Sequence, residues 1–162
     1  MRFPELHGRD LDGRSVYLPT DVGSDPTLLL VRFAPQPSRE AETWLPLVAD
    51  VADAVPGFWC YDLLVLPEFP DGVEEALTED LHAPLTDGGD VPGVRALTAH
   101  TDVDAFRRAL VLDRPARIYA LLLREGRVQW RAFGPLTVPL DRSLRAAVTP
   151  TSSGDANDLV VP

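Results

Sequence analysis

The chain has 162 residues, which is the size of one domain with a substantial core. Its formal net charge is −10, so nucleic acid is not expected as a partner, because a phosphate backbone would be repelled. A hydrophobic content of 45% without any apolar run near roughly 20 residues predicts a globular protein without a membrane span. The single cysteine, Cys60, and the lack of a signal-peptide pattern favour a reducing, cytoplasmic location.

A short hairpin is predicted at the amino terminus. Asp12-Gly13 separates two short apolar segments between Phe3 and Leu18, which is typical of a tight turn joining two strands. We therefore expect this hairpin to precede the first long strand.

The segment from Thr27 to Phe33 is almost continuously apolar, which predicts a strand covered on both faces. Ser38 follows and can cap a helix, because its hydroxyl can accept a hydrogen bond from a backbone N–H of the first turn. Apolar residues then recur at three- and four-residue steps and predict one buried helical face: Ala41, Trp44, Leu45, Val48, Val51, Ala52 and Val55. Pro46 lies inside this predicted helix and should kink it, since proline has no N–H.

The middle of the chain predicts a strand–helix–strand unit followed by further helices. Phe58 to Leu66 is a second apolar run, and we expect it to lie parallel to the first long strand. Val73 to His82 predicts a short helix, and Pro84 to Gly93 predicts a loop. A helix capped by Thr101-Asp102 is predicted to run to Leu112, with four residues buried: Val103, Phe106, Ala109 and Leu110.

A second hairpin and a last helix complete the predicted domain. Arg117 to Leu123 is an apolar strand, and Arg127 to Phe133 alternates apolar with polar residues, which is the pattern of a half-exposed partner strand. Pro139 to Val148 predicts the last helix, and residues 149–162 predict a flexible tail beyond a domain of residues 1–148. This order predicts the α/β class, with a mixed central sheet flanked by helices.

The residues after the first long strand resemble those of the thioredoxin superfamily. Thioredoxins carry two cysteines and a helix-kinking proline at fixed distances from an aromatic residue in that strand. Relative to Phe33, Ser38 and Ala41 stand at the cysteine positions, and Pro46 stands at the proline position. The resemblance implies a thioredoxin-like fold in which these three residues mark a degenerate redox site.

Short motifs outside the predicted redox positions resemble two narrower groups of thioredoxin-like proteins. Phe3-Pro4-Glu5-Leu6 and the Asp12–Leu18 segment are similar to the amino-terminal segments of membrane-anchored thioredoxin-like proteins and peroxiredoxins. Three features most closely resemble the thioredoxin-like mitochondrial ATP synthase assembly factors: the Phe3–Leu6 segment, Trp44 and the Gln129–Gly134 segment. Gln129 stands where that family has an arginine. This resemblance implies a binding or assembly role without thiol chemistry.

The chain also departs from active thioredoxins before the second hairpin. The family places a cis-proline nearer to the hairpin glycine than Pro115 lies to Gly126. Arg117 or Ile118 occupies that offset here. The substrate-docking turn that the cis-proline forms beside the redox site is therefore not expected.

The candidate catalytic groups each have a structural interpretation. Ser38 would need a base to act as a nucleophile, and neither His7, His82 nor His100 belongs to a motif that supplies one, so we expect a helix cap. Cys60 lies in an apolar strand, where a thiol is typically inert. The histidine spacing matches no metal-ligand motif, so neither a metal nor a cofactor is predicted.

Three functions are compatible with the sequence. The favoured one is a redox-inactive, non-enzymatic module that binds a protein partner, as an assembly or chaperone-type protein. Its candidate binding surface is formed by Pro35, Gln36, Pro37 and Trp44. The second is an enzyme of unrelated chemistry at a pocket near Ser38 and Arg32. The third is a thiol peroxidase or oxidoreductase that acts through Cys60. The sequence predicts no particular oligomeric state.

Overall fold

Seven strands form a mixed sheet in the structure, a computed structural model that describes residues 1–36, 38–68, 85 and 93–149. The strands are β1 Leu6–Asp10, β2 Ser15–Leu18, β3 Thr27–Arg32, β4 Trp59–Pro67, β5 Arg95–Thr101, β6 Tyr119–Arg124 and β7 Arg127–Phe133. Their spatial order is β2-β1-β5-β4-β3-β6-β7. Strands β3, β4 and β5 run parallel, whereas the strands paired on either side of them are antiparallel.

Four α-helices among the described residues pack on this sheet: α1 Arg39–Glu42, α2 Leu45–Ala54, α3 Val103–Leu110 and α4 Val138–Val148. The predicted helix from Val73 to His82 lies outside the described residues. So do the predicted loop, apart from Leu85 and Gly93, and the predicted tail, apart from Thr149. No helix in the described part of the chain has the length and apolar character needed to span a bilayer.

Strand β3 lies in the interior of the sheet, as its apolar run predicts. It pairs with β4 in parallel and with β6 in antiparallel register, and all six of its residues are buried. Leu28 and Leu30 pack in the apolar layer that includes α2 and α4, whereas Leu29 and Val31 pack in the layer that includes α3. The strand is therefore covered on both faces.

The predicted long helix after β3 is two helices. Helix α1 ends at Glu42, and α2 begins at Leu45. Pro46 lies in the first turn of α2, where its missing N–H leaves no helical hydrogen bond unmade. The prediction that Pro46 kinks a continuous helix is therefore wrong. Ala52 was also expected to be buried but is exposed, because the buried face of α2 is formed by Leu47, Val48 and Val51.

Strand β5 has no counterpart among the predicted elements. Its sequence, RALTAHT, contains no aromatic or β-branched residue except threonine, and only Leu97, Thr98 and Ala99 are buried. The strand forms because parallel pairing with β4 and antiparallel pairing with β1 satisfy its backbone on both sides. Such pairing leaves no local signal in the sequence.

The second hairpin and the helices on either side of it follow their predictions closely. Strand β6 begins at Tyr119, two residues later than expected, and β7 shows the alternation of half-buried and exposed side chains. Asp102 caps α3 by accepting a hydrogen bond from the N–H of Ala105. Ala109 is exposed rather than buried, because the inner face of α3 is centred on Phe106 and Leu110.

Candidate functional site

The junction of β3 with α1 holds Ser38 and Ala41, the two positions that the sequence predicts to correspond to the thioredoxin cysteines. The hydroxyl oxygen of Ser38 accepts a hydrogen bond from the N–H of Ala41 at 3.1 Å. The backbone N–H of Ser38 donates to the carbonyl of Leu85 at 2.7 Å. Ala41 is completely buried. Ser38 is therefore the helix cap that the sequence predicts, and neither Ser38 nor Ala41 carries a thiol.

A groove of about 360 Å³ opens beside this junction. Phe33, Ala34 and Gln36 line it from the loop after β3, and Pro115 and Ala116 line it from the loop before β6. Of the predicted binding-surface residues, Gln36 lines the groove, and Pro35 lies in the same loop without lining it. Pro37 lies outside the described residues.

Glu40 fixes one wall of the groove. Its carboxylate accepts hydrogen bonds from the Nε of Arg117 at 2.7 Å and from the backbone N–H of Ile118 at 3.1 Å. A proline at position 118 has no N–H to donate, so the cis-proline of the thioredoxins is incompatible with this contact. No peptide bond within residues 93–149 is cis. Sequence reasoning missed Glu40, because only its place in an acidic first turn was visible.

A buried ion pair lies beneath the same loop. The Nε and Nη2 atoms of Arg32 donate to the two carboxylate oxygens of Asp62 at 2.8 and 2.9 Å. Nη1 of Arg32 donates to the carbonyl of Gln36 at 3.0 Å. The two side chains are only 5% and 4% exposed. Because Arg32 also holds Gln36, the ion pair connects the interior of the sheet to the groove.

Trp44 is part of the core and is not part of an exposed surface. Its ring is completely buried, packs edge-on against Trp130 with 6.0 Å between ring centroids, and donates from Nε1 to the carbonyl of Gly134 at 2.9 Å. The prediction of Trp44 as a surface residue is therefore wrong. Its ring faces inward because it continues the stripe formed by Ala41 and Val48.

Cys60 lies in the interior of β4 and is almost inaccessible to solvent. Burial raises the pKa of its thiol far above the usual value, and the nearby negative charge of Asp62 raises that pKa further. The thiolate is the reactive form of cysteine, so burial at this position disfavours the reactive form.

The described histidines do not complete a catalytic or metal site with Ser38. Nε2 of His7 lies 3.0 Å from the hydroxyl of Ser15, and the His7 ring stacks on Tyr17 in the β1–β2 hairpin. His100 lies on β5, and His82 lies outside the described residues. Within residues 1–36, 38–68, 85 and 93–149, no group of three or more His, Cys, Asp or Glu side chains is arranged to hold a metal ion.

Comparison with solved structures identifies proteins that share this fold. No family model and no curated protein matches the chain. Among solved structures, the thioredoxin domain of a thiol-disulfide oxidoreductase from Bacteroides vulgatus is similar with a TM-score of 0.58 at 19% identity, covering 92% of this chain and 96% of that chain. BsSco, a member of the Sco family of cytochrome c oxidase assembly proteins, gives 0.59 at 12% identity, with 90% of each chain covered.

Copper-bound yeast Sco1 gives a TM-score of 0.54 at 15% identity, covering 93% of this chain and 94% of that chain. At these identities the similarity shows the fold alone. The chain has a thioredoxin-like α/β fold, as the sequence predicts. The comparisons give no support to the closer link with the ATP synthase assembly factors.

Proposed function

We propose that this thioredoxin-like chain carries out no thiol-disulfide chemistry and binds a segment of a partner protein in the groove beside Ser38. The two walls of that groove are the loop after β3 and the loop from Pro115 to Ile118. A volume of about 360 Å³ lies within the usual range for a binding cleft. Phe33, Pro115 and Ala116 give the groove apolar surface that a side chain of the partner can cover.

The observation that carries the proposal is the state of the two redox positions. The hydroxyl oxygen of Ser38 accepts a hydrogen bond from the N–H of Ala41, and Ala41 is buried. A thiol-disulfide enzyme needs an accessible thiolate at the first of these positions. A thioredoxin-like fold without thiols at these two positions supports recognition, and not thiol chemistry, as the use of the groove.

The two enzymatic alternatives have less support. Chemistry through Cys60 would require a thiolate that burial disfavours. A nucleophilic role for Ser38 would require a base, and no described histidine is hydrogen-bonded to it. The resemblance to the ATP synthase assembly factors is compatible with an assembly role, in which the chain would bind a protein partner. We also propose a cytoplasmic location, because a chain with a single cysteine forms no internal disulfide and fits a reducing compartment.

Site-specific photo-crosslinking tests the proposal. A benzophenone side chain at Gln36 places the probe in the groove, and the same probe at Leu11 places it on the β1–β2 turn, where the side chain is 55% exposed. We expect irradiation of cells to give a discrete adduct of the chain with one protein from position 36 and none from position 11. Equal crosslinking from both positions, or no adduct from position 36, would contradict a binding role of the groove.

A further inference from the structure

Three arginines lie around the mouth of the groove. Arg39 and Arg117 line it, and Arg114 precedes Pro115 in the same wall. The carboxylate of Glu40 is paired with Arg117, whereas neither Arg39 nor Arg114 has a carboxylate within 4.0 Å among the described residues. Among the described residues, the mouth therefore carries more positive than negative charge, in a chain whose formal net charge is −10.

Phe133 connects two of these arginines. The guanidinium carbons of Arg114 and Arg117 lie 5.1 and 5.5 Å from the centroid of its ring, which is within the range of cation–π contacts. Phe133 is 44% exposed, although it is a large apolar residue. A guanidinium that rests on a ring face keeps its N–H edges available for a planar carboxylate. Arginine and aromatic residues of this kind are enriched in protein interfaces.

The loop that carries Arg114 and Arg117 is already ordered by its own hydrogen bonds. The backbone N–H of Arg114 donates to the hydroxyl of Tyr119 at 2.9 Å, and the N–H of Arg117 donates to the carbonyl of Arg114 at 3.1 Å. Glu40 holds the end of this loop through Ile118 at 3.1 Å. Because this loop is ordered before binding, the arginines lose little conformational entropy when a partner binds.

We propose that the partner segment bound at the groove is acidic, with Asp or Glu carboxylates paired to Arg39 and Arg114 beside the exposed ring of Phe133. This inference rests on the proposed binding function of the groove and names the chemistry of its partner. The negative charge of the whole chain repels acidic peptides at long range. Binding of such a peptide therefore has to come from this local cluster of arginines.

Titration of the isotope-labelled full chain with an end-capped hexaglutamate peptide tests the inference, with hexaglutamine as the uncharged control. At about 0.15 M salt, where distant surface charges are screened, we expect the glutamate peptide to shift the amide NMR signals of Arg39, Arg114, Arg117 and Phe133. We expect Arg114→Gln to weaken that binding by about fivefold, the upper range of an exposed ion pair. Arg14→Gln, which removes the same charge at the β1–β2 turn, should leave binding unchanged.

Equal affinity for the two peptides, or an unchanged affinity of Arg114→Gln, would overturn the acidic partner. The same conclusion would follow if the shifted signals clustered around Arg14 instead of the groove. These failures are distinguishable from failure of the proposed function. A crosslinked adduct from position 36 without any preference for the glutamate peptide would leave the binding function in place and remove only the acidic partner.

Discussion

Arg32 and Asp62 show at the scale of single residues how charge is held inside the apolar layers. Each side chain is almost completely buried, so each charge has lost most of its hydration. Two hydrogen bonds of 2.8 and 2.9 Å between them offset that loss. Removal of one member breaks the ion pair and leaves the other charge buried, which is more costly than removal of both charges.

We expect Asp62→Ala to lower the free energy of unfolding by about 3–5 kcal/mol, because it breaks a buried ion pair and keeps the charge of Arg32 inside the protein. The double variant Arg32→Met with Asp62→Leu should lose less stability than Asp62→Ala, since it buries no charge. Urea unfolding followed by circular dichroism measures both changes. A loss of stability in the double variant equal to or larger than that of Asp62→Ala would contradict the expected coupling of the two side chains.

At the scale of elements, the β3–α1 junction is fixed by contacts on two sides. Glu40 on α1 holds the loop before β6, and Thr43 accepts a hydrogen bond from the N–H of Leu136 at 2.8 Å. Trp44 donates to the carbonyl of Gly134 in the loop after β7. The interruption between α1 and α2 is therefore the place where these helices are attached to the second hairpin.

This geometry predicts that two cysteines introduced at Ser38 and Ala41 will form a disulfide. The positions lie one helical turn apart, where side chains are separated by roughly 5–6 Å, which is compatible with a disulfide. After mild oxidation of Ser38→Cys with Ala41→Cys, we expect thiol titration of the unfolded protein to detect Cys60 alone. Loss of the serine cap should cost no more than about 1 kcal/mol.

The single variant Ser38→Cys is the control, and its introduced thiol should remain titratable. If the two introduced cysteines also stay reduced under oxidising conditions, the positions are farther apart than the structure has them. Their correspondence to the thioredoxin cysteines would then be wrong.

At the scale of the whole molecule, strong local patterns predicted strands β3 and β4 and the caps of α1 and α3. The continuous apolar run of β3 and the serine at position 38 are examples, because burial on both faces and capping select residue types directly. Strand β5 was not predictable in this way, since only its pairing with β1 and β4 defines it.

Contacts between distant segments also determine the candidate site, and local sequence patterns do not predict them. Glu40 and Arg117 are 77 positions apart in the sequence, and Arg32 and Asp62 are 30 apart, so their contacts depend on strand order and register. Trp44 was misplaced because an amphipathic stripe does not show how deeply each of its members is buried. Sequence patterns therefore predicted the scaffold and the capped junction, whereas the charges around the groove required the tertiary structure.

A disulfide-reduction assay with insulin and a dithiol donor tests whether the chain catalyses thiol-disulfide exchange. Between about pH 6 and pH 9, we expect the wild-type chain to match the protein-free control and the Cys60→Ser variant, because burial keeps the only thiol protonated. The variant with cysteines at positions 38 and 41 serves as the redox-competent comparison. Turnover by the wild-type chain above the protein-free control that disappears in Cys60→Ser would contradict the account.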